Sequence, residues 1–469
     1  MGDRRIPKER AVPATIEVEP VLGELGEGFR AAGHELYLVG GAVRDHFLGG
    51  GRRDREVDLA TSAHPDETTR LLRGWAEHKY MQGALYGTVG ASREGRRFEI
   101  TTFREEVYPH DQRKPRVTFG KDILVDLSRR DFTINAMAVR LPEGEFLDPH
   151  GGLKALAAKA LDTPLDPEAA FSDDPLRMLR AARFVSTLGF TPAPRVVEAM
   201  SRMADRLEIV SPERLQDELN RLLLGEHVAR GLDLICRTGL ADRFLPELPG
   251  LQLEQDPVHR HKDVLRHTFA VVERCPPDLV LRLAALLHDI GKPRTRRVTE
   301  EGVQFHHHEA EGARMAEERL RALRYPGDVI RDVRKLVEMH LRFHTYGMGW
   351  TDGAVRRYVR DAGPLLDRLN QLTRADCTTA NKFRARQLEA AQDELEERIA
   401  RLAEEENLGA LRPPLDGNAV MAHLGIGPGP VVGEALAYLM EQRMERGPID
   451  EREAYALLDA WAHDRGLAR

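Results

Sequence analysis

From Leu36 to Leu147 the chain alternates short apolar runs with helical stretches and glycine turns. Tyr37-Leu38-Val39, Glu56-Val57-Asp58-Leu59, Thr88-Val89-Gly90 and Phe98-Glu99-Ile100-Thr101 have the composition and alternation of short strands. The pattern predicts a mixed α/β head. From about Asp173 onward it changes to amphipathic helix after helix, as in Asp174 to Leu188, Pro212 to Leu224 and Leu279 to His288. Breaks near Thr163-Pro164, across Pro246 to Pro257 and at Leu411-Arg-Pro-Pro-Leu415 divide the remainder. The expected fold class is α+β: a head at 20–162, an all-α neck at 163–245, a helical body at 246–400 and a helical tail at 401–469.

Composition narrows the classes of function. At 469 residues the chain is about three times the usual domain length, and its 42% hydrophobic content excludes a mostly disordered or collagen-like protein. Lys plus Arg total 69 against 76 Asp plus Glu, so the net charge of -7 gives no global attraction to nucleic acid or anionic membrane. Contact with RNA then requires a local basic patch. The three cysteines, Cys236, Cys275 and Cys377, lie far apart and support neither a disulfide framework nor a cysteine zinc site. No apolar run approaches the length of a membrane span, and Met1 to Pro20 is charged where a signal peptide is apolar. The expected location is the cytoplasm, with no membrane and no obligate protein partner.

Two segments carry the first candidate chemistry. Tyr37-Leu-Val-Gly40-Gly41-Ala-Val-Arg44-Asp45 is a strand entering a double-glycine turn and a helix, a layout that can seat a triphosphate and can equally be plain turn chemistry. In Glu56-Val57-Asp58-Leu59 the two carboxylates are two apart in a strand, so both leave the same face. There they can share magnesium, whose hard-oxygen preference suits them; the alternative is a solvated strand face. Glu99, on another strand, can join the pair or serve as a salt-bridge partner.

Together Leu38-Val-Gly-Gly-Ala-Val-Arg-Asp45, the acid pair before Leu59-Ala-Thr61, Arg129-Arg-Asp-Phe-Thr-Ile-Asn-Ala-Met137 and Asp148-Pro-His-Gly-Gly-Leu153 resemble the successive motifs of class II tRNA nucleotidyltransferases, which include CCA-adding enzymes and bacterial poly(A) polymerases. Asp173-Asp-Pro-Leu-Arg-Met-Leu-Arg-Ala-Ala-Arg-Phe184 resembles their nucleotide-templating helix, and Glu213-Arg-Leu-Gln-Asp-Glu218 the element that braces it. Two departures stand out: Glu56 replaces the first Asp of the usual Asp-x-Asp, and Asp173-Asp174 replaces Glu-Asp.

The resemblance implies a catalytic head in which Glu56, Asp58 and Glu99 act with Mg2+, and nucleotide contacts from Gly40, Gly41, Arg44, Asp45, Arg130, Asp131 and Asn135. Arg130, Asp131 and Asn135 can contact ribose and phosphate, or merely cap a helix. Asp174 and Arg177, three apart and expected on one helix face, would read the amine and ring nitrogen shared by cytosine and adenine; a surface salt bridge is the alternative. Arg180 and Arg183 would join the nucleotide site and, with Arg214, a basic strip for RNA, or be buried salt-bridge partners. The polar segment Arg104 to Lys121, with Tyr108, Asp111, Arg113 and Pro115, resembles the loop used in switching from C to A and argues against a CC-only enzyme.

A second series, Arg266-His267-Thr268, Leu287-His288-Asp289-Ile290-Gly291-Lys292-Pro293, His308-Glu309, His340 and Arg374-Ala375-Asp376, resembles an HD domain. His267, His288, Asp289 and Asp376 are the main ligands on this reading, with His308 and His340 completing a second divalent site. Such a centre implies phosphohydrolase chemistry at damaged RNA ends, or a remnant serving as scaffold. Near the end, Leu424-Gly425-Ile-Gly-Pro428-Gly429 resembles the family's RNA-binding segment, although turn structure alone also explains Gly425 and Gly429. The function expected is addition of C, C and A to the tRNA 3′ end from CTP and ATP. The alternatives are poly(A) polymerase, partial addition, and an HD-type hydrolase of RNA ends.

Overall fold

The computed structural model describes residues 15–49, 56–83, 87–107, 116–253, 263–300, 302–377, 382–406 and 412–467. The chain forms two compact units, Met1–Pro249 and Gly250–Arg469.

The head is built on strands β1 (Leu36–Val39), β2 (Glu56–Thr61), β3 (His78–Gly83), β4 (Thr88–Arg93) and β5 (Arg96–Thr102). A hairpin of β6 (Arg104–Val107) and β7 (Arg116–Phe119) follows, then β8 (Ala138–Leu141) and β9 (Phe146–Leu147). Seven strands share one sheet in the order β3-β4-β5-β2-β1-β8-β9. Only β2 and β5 in it run parallel. Alternation along β2 sends Val57 and Leu59 into the core and leaves Glu56 and Asp58 exposed, so the register read from the sequence holds. Leu22, Leu25 and Phe29 of the Pro20–Ala31 helix pack with Leu36, Val57, Leu59, Phe98 and Ile100. Each such buried side chain is worth roughly 1.5–3 kcal/mol.

The polar segment expected to be a loop has paired ends, in register from Arg104 opposite Phe119 to Val107 opposite Arg116. Its residues Tyr108, Asp111, Arg113 and Pro115 lie outside the described residues. The neck contains helices Pro167–Asp173, Leu176–Leu188, Pro194–Arg202, Pro212–Leu223 and Val228–Arg237. Gly231 lets the last of these approach the Leu176–Leu188 helix closely, because a Cβ there would lie 2.9 Å from the Ala182 carbonyl oxygen.

Among the described residues the second unit is helical apart from a short hairpin, Arg296–Thr299 with Gly302–Phe305. Its helices Val264–Arg274, Leu279–Leu287, Gly327–Met339 and Leu366–Asp376 bring their ends to one polar centre. Helices Gly417–Leu424, Pro430–Arg446 and Glu451–Asp464 close over a separate core of Val420, Ala435, Leu439, Leu458 and Trp461. Among the described residues no helix is long and apolar enough to cross a membrane.

Candidate active site and metal centre

Parallel pairing of β2 with β5 sets Asp58 opposite Glu99 and Glu56 opposite Arg97. The three acids therefore share one open face of the sheet. Partial desolvation by the surrounding protein raises the pKa of Asp58, with Arg130 opposing the rise and Glu56 adding to it. Glu99 is raised by burial and then by its neighbours Glu56 and Asp58. Carboxylates that repel one another on a shared face are the donor set of a hard divalent cation, which would relieve the repulsion. Glu56, Asp58 and Glu99 thus fit magnesium by charge and donor type, and Glu56 keeps that charge with one more methylene. Gly40 stands against them with φ +71, and a Cβ on it would lie 3.3 Å from both Asp58 Oδ2 and Arg130 Nη1.

A chain of polar contacts leads from this turn to the neck. Arg44 donates to Asp45 at 2.8 Å and to Asn135 Oδ1 at 2.9 Å, while Asn135 donates to Asp131 at 2.9 Å. Arg180 then donates to Asp131 at 2.6 Å and to the buried Glu218 at 3.2 Å. Burial opposes charge on Asp131, but the Arg180 guanidinium holds it well below the usual carboxylate range. Arg183 lies 2.9 Å from Glu218, and burial together with Arg180 brings its pKa down to about 10. Of the two readings for Arg180 and Arg183, the geometry displays salt-bridge partners. Asp148 caps the Gly152–Ala157 helix through Gly152 and Leu153 N–H, at 2.6 and 2.9 Å, which buttresses the Thr133–Asn135 turn against Gly152.

The expected shared helix face of Asp174 and Arg177 needs correction. Asp174 precedes Pro175 and has extended backbone, φ -144 and ψ 101, between two helices. A residue before proline is driven out of the helical region. Asp174 instead accepts from Leu176 N–H at 3.1 Å and from Arg214 at 2.8 Å. Arg177, in the first turn of the following helix, donates to the Arg129 carbonyl at 2.6 Å. The two side chains still flank one helix start, next to the segment that carries Arg130 and Asp131.

In the second unit the six expected ligands converge. His267, His288 and Asp376 form one cluster, and Asp289, His308 and His340 the other, each with ligand atoms within 4.8 Å of one another. Asp289 joins both: its Oδ2 lies 3.2 Å from His288 and 3.8 Å from His267, as expected of a main ligand, while its Oδ1 lies 3.4 Å from His308 and 4.0 Å from His340. Nδ1 of His288, His308 and His340 contacts the carbonyls of Ala285, Phe305 and Val337 at 2.8, 2.7 and 2.6 Å. As Nδ1–H donors, these rings aim the Nε2 lone pair inward. Those three Nε2 atoms are buried without a hydrogen bond, which is the arrangement a cation completes. Without a cation, burial opposes a proton on His288, yet Asp289 and Asp376 push its pKa up to about 10, while burial and His288 hold His340 down at about 3; a divalent ion would take the place of that Nε2 proton.

Sequence reasoning missed two groups at this centre. Lys292 Nζ lies 2.7 Å from Asp289 Oδ2, and His344 Nε2 lies 3.5 Å from Asp376 Oδ2. Lys292 is three residues after Asp289, a legible helical spacing; His344 carried no signal. His306 and His307 stay outside both clusters, His307 being 89% exposed. Gly425, with φ +65, ends the Gly417–Leu424 helix and Gly429 precedes the Pro430–Arg446 helix.

These features meet their counterparts in known proteins. Family models match as "Poly A polymerase head domain" over residues 36–162, "Probable RNA and SrmB- binding site of polymerase A" over 189–251, and "HD domain" over 265–405. A relative named A-adding tRNA nucleotidyltransferase, from Deinococcus radiodurans, is 36% identical over 441 residues, covering 91% of this chain and 95% of its own. A relative named CCA-adding enzyme, from Anoxybacillus flavithermus, is 41% identical over 223 residues, 47% of this chain and 54% of its own; this chain matches about half of that relative's length. The crystal structure of the Bacillus stearothermophilus CCA-adding enzyme in complex with CTP superposes with a TM-score of 0.71 at 27% identity, covering 96% of this chain and 99% of that one. The chain belongs to the tRNA nucleotidyltransferase and poly(A) polymerase family and carries an HD domain. It is a nucleotidyltransferase by family, as the sequence motifs implied.

Proposed function

We propose that this chain adds C, C and A to the 3′ end of tRNA from CTP and ATP, with its own side chains standing in for a template. The observation that carries the reading is the row of Glu56, Asp58 and Glu99 on an open sheet face, tied through Gly40, Arg44, Asn135 and Asp131 to the helix start that bears Asp174 and Arg177. The names of its relatives and the CTP complex of its structural neighbour support it.

On this reading the head (20–162) performs transfer, the neck (163–245) selects the base, the HD body spans 246–400 and the tail (401–469) meets RNA through Gly425 and Gly429. Glu56, Asp58 and Glu99 would hold Mg2+, which when bound would neutralise phosphate charge and favour ionisation of the attacking hydroxyl. Arg44 and Arg130 orient the triphosphate beside Gly40 and Gly41. The RNA 3′ oxygen bonds to the α-phosphorus, pyrophosphate leaves, and the hydroxyl proton passes to a carboxylate of this row. Asp174 accepts a hydrogen bond from the base's exocyclic amine and Arg177 donates to the adjacent ring nitrogen, positions where uracil and guanine place a carbonyl and a ring N–H instead. Substrates of this kind place the chain in the cytoplasm.

The test is incubation with tRNA truncated at its 3′ end, supplying CTP and ATP separately and together. Two C residues from CTP and a final A only when both are present is the expected result. A only on tRNA already ending in CC favours the A-adding reading, to which the full-length Deinococcus radiodurans relative points. A long run of A rejects both. The paired clusters of the second unit support a further reading, divalent-dependent release of phosphate from damaged RNA ends; persistence of release in Asp289→Ala would discard it.

A further inference from the structure

The open face of the head sheet continues beyond the acids. Cross-strand pairing sets Asp58 beside Glu99, Glu99 opposite Gly90 of β4, and Gly90 opposite Tyr80 of β3, giving one transverse row on one side of the sheet. A second row runs Glu56, Arg97, Ser92, His78. Tyr80 is 45% exposed, whereas Trp75 and Phe98, which meet edge to face in the core, are buried. The ring leans over Gly90, since a Cβ there would lie 3.3 Å from both Cβ and Cδ2 of Tyr80. With strands about 4.8 Å apart, three steps put the Tyr80 backbone about 14 Å from Asp58.

Direction of attack decides what lies over this face. Phosphoryl transfer sets the attacking and leaving oxygens in line across the phosphorus. Gly40, beside Arg130, follows β1, and Arg177 reaches the same region through the Arg129 carbonyl. On the nucleotidyl-transfer reading the nucleotide would lie on the β1 side, and an attacking hydroxyl would arrive over β5, β4 and β3.

We propose that Tyr80 is a stacking platform for the terminal base of the RNA acceptor, with the exposed Arg97 supplying positive charge for its phosphate; this rests on the nucleotidyl-transfer reading above. Stacking on an aromatic face tolerates any base. That tolerance suits an acceptor whose last base changes after each addition, and the cation in the neighbouring row suits a polyanion rather than an apolar partner.

Steady-state kinetics of the full chain on 3′-truncated tRNA, varying RNA and CTP in turn, test the assignment. Tyr80→Ala should raise the RNA KM about tenfold, with the CTP KM and thermal midpoint unchanged. Tyr80→Leu, which still covers Gly90 without an aromatic face, should show the same rise, and Tyr80→Phe should match the parent. An RNA ending in 2-aminopurine should lose fluorescence on binding the parent and Tyr80→Phe, and keep it with Tyr80→Leu. An unchanged RNA KM in both Tyr80→Ala and Tyr80→Leu, an equal rise in Tyr80→Phe, or a rise confined to CTP overturns the proposal. A parent chain that extends no RNA rejects the transfer reading instead; the fluorescence comparison needs no turnover and still decides whether Tyr80 receives an RNA end.

Discussion

The head and the second unit each gather acids and polar groups for divalent chemistry, and they do so in opposite ways. In the head, Glu56, Asp58 and Glu99 stand on an open strand face and repel one another. They do not converge as tightly as the two triads of the second unit, the places among the described residues where three such groups lie within 4.8 Å. In the second unit, backbone carbonyls lock the ring orientations of His288, His308 and His340 inside a buried cage. A magnesium ion on the first arrangement would take its remaining oxygens from a phosphate; the second already gathers three protein ligands in each cluster before any substrate arrives. An open site belongs to a reaction in which the nucleotide must enter and leave at every addition.

Four measurements break or sharpen this contrast. Asp58→Ala should lower nucleotide addition at least about a thousandfold, from the loss of several kcal/mol of charge stabilisation, and leave divalent binding by the second unit intact. Loss of both would show that the sites are not independent. Glu218→Ala leaves Arg180 and Arg183 without their buried carboxylate and should destabilise the first unit by about 3 kcal/mol, read as a lower midpoint in chemical denaturation. His340→Ala should weaken Mn2+ binding by about 10- to 100-fold in calorimetry, with nucleotide addition unchanged. Asp174→Ala should reduce the preference for CTP and ATP over UTP and GTP about tenfold in a competition assay, without abolishing transfer.

Much of this was legible in the sequence, for identifiable reasons. Period-two alternation placed Glu56 and Asp58 on one face, and the ordered His and Asp positions marked every residue of the two clusters. Asp174 was misplaced because helical spacing was weighed above Pro175, whose ring forces the preceding residue into extended backbone. Arg180 and Arg183 read equally well as RNA contacts or salt bridges, because Glu218 lies far off in sequence and its burial is a property of packing. His344 reaches Asp376 from the 3-10 turn Arg342–Met348, and no periodicity announces such a contact. Tyr80 escaped notice because exposure of an aromatic residue on a strand depends on what its neighbours cover.

Arg180 grips Asp131 on one side and Glu218 on the other, so a single guanidinium staples three distant stretches of chain. On the proposed reading, that staple would hold the distance from base reader to reacting phosphorus like a ruler. A nucleobase of the wrong outline would deliver its phosphate off the line of attack, where an error of about 1 Å costs about a hundredfold in rate. Fidelity would then come from measured length as well as from matched donors and acceptors, and loosening the staple should admit wrong nucleotides even with the reading residues untouched.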